Sequence, residues 1–174
     1  TRDEQGREMF GYGGDFGERI HDFNFCCNGM IAADRTPHPA MYEFRYLTQP
    51  VKVTSYGEPF GFCLKNRRDF TDLADLAGTW SVEVNGKTVR SGELTGIENI
   101  QPGETMDFTL PLNDLKRLEN EEIFINFDFV LAENTAWANA GTLLAHEQIE
   151  LTRHVPAEPV TVTEKINIKR SLKK

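Results

Sequence analysis

The chain has 174 residues, 39% hydrophobic and 26% charged, which suffices for a buried core and is ordinary for a globular protein. A formal charge of -8 and a pI near 5.0 argue against a nucleic-acid phosphate backbone as partner. No apolar run is long enough to span a bilayer, so a membrane partner is not expected either.

The opening stretch, TRDEQGREMFGYGG, is polar and Gly-rich and lacks an initiating Met and an apolar leader region, so it reads as loop cut out of something longer. NFCCNGMI, Asn24 to Ile31, is a short apolar run broken by Asn28-Gly29, and predicts a buried strand ending in a turn. Thr36-Pro37 then offers a helix N-cap followed by proline at the first helical position. Met41, Phe44 and Leu47 recur at threefold spacing, which predicts a helix from about Pro37 to Leu47, closed by Gln49-Pro50. Strand, loop and helix make one β/α unit, which can neither close a sheet nor cover its own strand.

The pattern changes after Pro50. VKVTSY alternates, FGFCLKNR follows a turn, and TWSVEV-NG-KTVRSGEL is a hairpin signal, since Asn85-Gly86 tolerates the positive φ of a two-residue turn. ETMDFTLPL and EEIFINFDFVL follow. In the latter Ile123, Ile125, Phe127, Phe129 and Leu131 face one way while Asn126 and Asp128 face the other. TLLAHEQIEL closes the set. Six or seven short strands separated by turn signals predict an immunoglobulin-like antiparallel β-sandwich, so the fold class is mainly β. The tail offers one further strand before a basic end.

Little in these residues carries chemistry alone. No nucleophile elbow accompanies His146 or His154, which lie in or after sandwich strands, so a hydrolase triad is not expected. GYGGDFG has no preceding strand and no capped helix directly after it, and reads as a loop rather than a phosphate cradle. Asp15, Glu18, Asp22 and Asp34 cluster around the loop, but paired carboxylates act only at set separations and most loop acids are solvated. Asp34-Arg35 reads as an ion pair or a hydrogen-bonding brace. Asn28 has two readings: an amide oxygen offered to a hard cation or a sugar hydroxyl, or a left-handed turn residue before Gly29. Trp80 and Trp137 both read as packing residues; with Tyr56 they are also the only candidates for a sugar-stacking surface. Cys26, Cys27 and Cys63 fit no zinc spacing or disulfide framework and read as reduced, packed thiols.

YGGDFG, Tyr12 to Gly17, followed by FCCNGMIAADRTPHPA, Phe25 to Ala40, resembles the end of the catalytic barrel in the large bacterial β-galactosidases of glycoside hydrolase family two. Every specified position of the pattern Tyr-Gly-Gly-Asp-Phe-Gly, then Phe-Cys-x-Asn-Gly-x4-Asp-Arg-x-Pro-x-Pro, is met. NRRDFTDL, WSVEVNGKTVRSGEL, NTAWANAG and AHEQIEL resemble the sandwich that follows the barrel, so the likeness covers residues 10 to 152. His21 and Phe23 stand where polar residues are expected.

The resemblance implies that residues 1–48 are the last β/α unit of a (β/α)8 barrel, 49–155 a β-sandwich domain, and 156–174 a tail or the start of the next domain. By position, Phe25 would give a main-chain oxygen and Asn28 its side chain to a sodium ion beside galactose, which favours a site role for Asn28. Asp34 and Arg35 would brace the loop beneath, and Pro37 would start the last barrel helix. Both catalytic Glu residues and the magnesium ligands would lie on earlier barrel strands, outside this chain. The implied parent is a retaining β-galactosidase, homo-oligomeric in one expectation, for which the chain supplies a wall of the galactose subsite without catalysing alone. The alternative is a non-catalytic carbohydrate-binding or structural sandwich module. Compartment, cytoplasmic or periplasmic, is left open.

Overall fold

Alternating apolar residues after Pro50 build nearly all of the ordered architecture. A computed structural model describes residues 2–25, 28–56, 60–112 and 121–152. Helix α1 (Pro39–Leu47) is followed by β1 (Val51–Ser55), β2 (Gly61–Asn66), β3 (Leu76–Val84), β4 (Lys87–Leu94), β5 (Thr105–Thr109), β6 (Ile123–Leu131) and β7 (Leu143–Thr152). Two antiparallel sheets form, β1-β2-β5 and β4-β3-β6-β7, the three-on-four arrangement of an immunoglobulin-like sandwich. Residues 153–174, with the expected tail strand and His154, lie outside the described residues.

The core lies between the sheets. On β6 the odd-numbered residues from Ile123 to Leu131 are all buried, as their alternation predicts. Phe62 of β2 meets Phe127 of β6 edge-on, centroids 5.1 Å apart, and Phe108 of β5 completes the aromatic cluster at 5.7 and 5.9 Å. Trp80 is buried on β3 with its indole over Gly92 of β4; a Cβ there would lie 2.8 Å from the ring. Asn85 (φ 49°) and Gly86 (φ 74°) make the expected two-residue hairpin turn.

One buried polar residue joins the loops at one end. Asn66, fully buried, donates from Nδ2 to the carbonyls of Thr71 and Ile100, each at 3.0 Å. Its Oδ1 accepts from the Arg68 amide at 2.9 Å. Arg68 in turn clamps Asp75 through both guanidinium branches, at 2.5 and 3.0 Å.

Two expectations fail before Pro50. Among the described residues of Asn24–Ile31 there is no strand, only an isolated bridge from Ile31 to Pro37; Cys26 and Cys27 lie outside the described residues. A strand needs a neighbour for its ladder, and among the described residues this run has none. Instead its groups bond locally: Phe25 N–H donates to Asp22 O at 3.0 Å and His38 N–H to Met30 O at 2.8 Å. Helix α1 also starts two residues later than expected, with His38 rather than Thr36 as N-cap and Pro39 as the first helical residue. The residue before a proline is driven to extended backbone, and His38 takes φ -72°, ψ 158°. Thr36 is used in the preceding turn, where its carbonyl accepts from Ala32 N–H at 2.9 Å.

Candidate functional site

Everything site-like in the sequence falls on residues 9–38, which the structure arranges as two braced loops. In the first, Gly13 and Gly14 lie beneath His21 and Phe23. A Cβ on Gly13 would meet the Phe23 backbone at 2.8 Å, and one on Gly14 would meet His21 Nε2 at 2.9 Å. His21 and Phe23 stack edge-on at 4.5 Å, so these two atypical residues close the loop over its glycines. Glu18 accepts from the amides of Gly14 (2.7 Å) and Phe16 (3.1 Å), and Asp15 accepts from that of Tyr12 (3.0 Å). The Gly14 amide above all holds the Glu18 carboxyl below its ordinary range.

The second loop, residues 28–38, hangs from the N-terminus of α1. His38 Nδ1 donates to Gly29 O at 2.8 Å; a carbonyl can only accept, which places the ring hydrogen on Nδ1. Asp34 Oδ1 accepts from Thr36 N–H at 2.8 Å, while Arg35 takes the left-handed conformation (φ 69°). Asp34 is therefore the brace its position suggested, and no ion pair joins it to Arg35 among the described residues. The Thr36 hydroxyl and amide hold its carboxyl below the usual carboxylate range. Glu18 and Asp34 are thus committed carboxylates that hold backbone, unsuited to donating a proton.

Phe25 precedes this loop and Asn28 begins it; both are exposed, Phe25 77% so. The two donors named for sodium, a main-chain carbonyl and an amide oxygen, are the neutral oxygens a hard cation takes. They are part of a shell only, and no cluster of three or more His, Cys, Asp or Glu gathers among the described residues. The donor chemistry fits the ion; the remaining ligands would have to come from elsewhere.

The two tryptophans, both expected to pack, differ. Trp80 packs as expected, but Trp137 is 68% exposed, which corrects its assignment as a packing residue. Its loop is closed by its own polar groups: Thr135 N–H donates to Ala138 O (2.8 Å), Ala138 N–H to Thr135 Oγ1 (3.0 Å) and Ala140 N–H to Asn134 Oδ1 (2.8 Å). With the loop satisfied internally, the indole is turned outward. Tyr56 is also exposed. Cys63 is a free, half-buried thiol; burial, then a hydrogen bond with the Asp107 carboxylate, pushes its pKa up and keeps it protonated. His146 pairs with Asp128, Nδ1 to Oδ1 2.6 Å, with no nucleophile in the pair.

One polar centre escaped notice in the sequence. Glu147 occupies a core-facing position on β7, across from Phe127, and is only 3% exposed. Its Oε1 accepts from Gln49 Nε2 at 2.7 Å and pairs with Lys52 Nζ at 2.9 Å, and its Oε2 accepts from Tyr46 Oη at 3.1 Å. Lys52 also donates to Tyr46 Oη at 3.3 Å. The hydrogen bond to Glu147 raises the Lys52 pKa, with burial opposing it. The signal available was a glutamate in phase with buried Ala145 and half-buried Ile149 of an alternating strand.

Comparison with known families places both halves. Residues 62–152 match the family described as β-galactosidase, domain 4. The chain belongs to the β-galactosidase domain 4 family. Residues 1–53 match the glycosyl hydrolases family 2 TIM barrel domain, so the domain 4 sandwich follows a barrel segment. Relatives named β-galactosidase include those of Arthrobacter sp. (strain B7), 38% identical over 91% of this chain, and Priestia megaterium, 38% over 85%. A Vibrio cholerae β-galactosidase is 37% identical over 84%. The chain spans only 16%, 14% and 14% of the lengths of these relatives.

Proposed function

We propose that the protein to which this chain belongs is a retaining β-galactosidase hydrolysing terminal β-D-galactose from lactose-like substrates. In a retaining hydrolase one carboxylate attacks the anomeric carbon while a second carboxylic acid protonates the leaving oxygen. The observation that supports this best is the ordered match, barrel segment at 1–53 and domain 4 at 62–152, shared with relatives of that name over most of the chain. In this reading residues 1–48 end the barrel, 49–155 form the sandwich and 156–174 lead onward.

Asp15, Glu18 and Asp34 brace loops, which supports the view that the chain alone does not catalyse. Its part is a wall of the galactose subsite: Asn28 contacts the sugar, and a sodium ion is held by the Phe25 carbonyl and the Asn28 amide oxygen. When bound, such an ion supplies a fixed positive charge and a coordination point for sugar hydroxyls. Magnesium would be held by residues outside this chain. The remaining partners are the other domains of the same polypeptide and, in the assembled enzyme, further copies of it.

The test is hydrolysis of a chromogenic β-galactoside by this chain and by the longer protein carrying the whole barrel. Turnover is expected only in the longer protein, with Asn28→Ala weakening it by about tenfold or more, as for removal of a binding-site hydrogen bond. Turnover by the short chain would place the catalytic carboxylates here and overturn the reading. The outward indole of Trp137 favours the second reading, a carbohydrate-binding sandwich. Binding of galactosides by this chain, lost in Trp137→Ala, would carry it.

A further inference from the structure

Glu147 is out of place by its own strand's logic. Its neighbours on the same face of β7 are Ala145 and Ile149, and its cross-strand partner is Phe127. A carboxylate there is strongly destabilising unless it is fully bonded. The bonds given to it come from residues 46–52: Tyr46 at the C-terminal end of α1, Gln49 in the link that follows, and Lys52 on β1 of the sandwich. An inward charge can also guard an edge strand against pairing with another chain, but that role needs no partners from a helix. Further bonds run between the same two bodies: Gln49 Oε1 accepts from His146 N–H at 3.0 Å, Arg45 donates to the Leu143 carbonyl, and Arg67 Nη1 donates to Leu47 O at 3.0 Å.

At its other end α1 holds the 28–38 loop. His38 bonds Met30 O through its amide and Gly29 O through its ring, both at 2.8 Å. No residue of α1 is buried, so burial of an apolar face does not fix the helix in place. Polar bonds do.

We infer that Glu147 is a positioning residue: from the sandwich it fixes the direction of α1, and through α1 the placement of Asn28. The mechanical half stands on the contacts alone; the consequence for substrate rests on the function proposed above. Domain 4 is then more than a spacer, because one of its core positions is given over to aiming a barrel loop.

Site-resolved hydrogen exchange on this chain tests the mechanical half. In Glu147→Ala the amides of His38, Met41 and Thr48 should exchange at least about tenfold faster, while the β3–β6 ladder keeps its rates. Glu147→Gln, which retains an acceptor for Tyr46 and Gln49, should recover part of the protection. If Glu147→Ala unfolds the sandwich, Tyr46→Phe decides, because it removes a bond from the helix side only. Faster exchange confined to α1 supports the inference, and unchanged exchange in α1 overturns it. In the longer protein Glu147→Ala should raise KM for a nitrophenyl β-galactoside by about tenfold with a smaller change in kcat, with recovery in Glu147→Gln. An unchanged KM would overturn the link to Asn28. An inactive parent would instead refute the proposed function and leave the exchange result standing.

Discussion

Single residues carry sharp expectations. Gly92 has no room for a side chain, since a Cβ would sit 2.8 Å from the Trp80 indole. Gly92→Ala should therefore cost about 1–3 kcal/mol in urea unfolding, with a change in Trp80 emission as the ring is displaced. Asn66→Ala would leave two carbonyls and one amide, buried or half-buried, without their partner, and should cost roughly 3 kcal/mol by the same measurement. Asp34 gives a pH signature. Its carboxyl is held below its ordinary 3.8, so its bracing of Thr36 is present above that value and is lost as pH falls through the lower, folded value. The Thr36 amide resonance should follow that titration to the acid side of 3.8. A midpoint at or above 3.8 would mean the brace is absent in solution. The Asp34 brace was readable in sequence, but the roles of Gly92 and Asn66 were not, because close approach and burial of an amide depend on which strands and loops become neighbours.

At the scale of elements, legibility followed periodicity. β6 alternates so regularly that its buried face could be named residue by residue, and Asn85-Gly86 fixed the β3–β4 hairpin through its positive φ values. Before Pro50 the pattern misled. NFCCNGMI is apolar enough for a strand, but a strand also requires a neighbour, and the described part of the run turns back on itself. The helix start was misplaced because two X-Pro steps compete, and Thr36 serves the Asp34 turn instead of capping. The apolar recurrence of Met41, Phe44 and Leu47 identified the helix without revealing its docking contacts, which are made by Arg45 and Tyr46 and, just past its end, by Gln49. That joint has an alkaline limit. The Lys52 pKa lies above its ordinary 10.5 in the folded state, so its contribution is complete below 10.5 and is lost as pH rises through the higher value. Exchange of the α1 amides, corrected for intrinsic rates, should accelerate only above that point, before the sandwich ladder opens.

For the molecule as a whole, stability lies in the sandwich. Phe127 touches Phe62 and Phe108 and is fully buried, so Phe127→Ala should cost about 3–5 kcal/mol and unfold both sheets together. The candidate site was legible as a matched motif, through Tyr12–Gly17 and Phe25–Ala40, because its glycines, prolines and Asn28 are conformationally special residues concentrated in a short span. Its support was not, because Glu147 lies about a hundred positions further along the chain and looks like any other acid in an alternating strand. That separation has a temporal side. Tyr46 leaves the ribosome well before its partner, which is 101 residues further on. Synthesis at about 5–20 residues per second leaves α1 without its anchor for roughly 5–20 seconds. Docking of the helix must then wait for β7 to pair with β6, so the barrel-side loop takes its final place later than it is made.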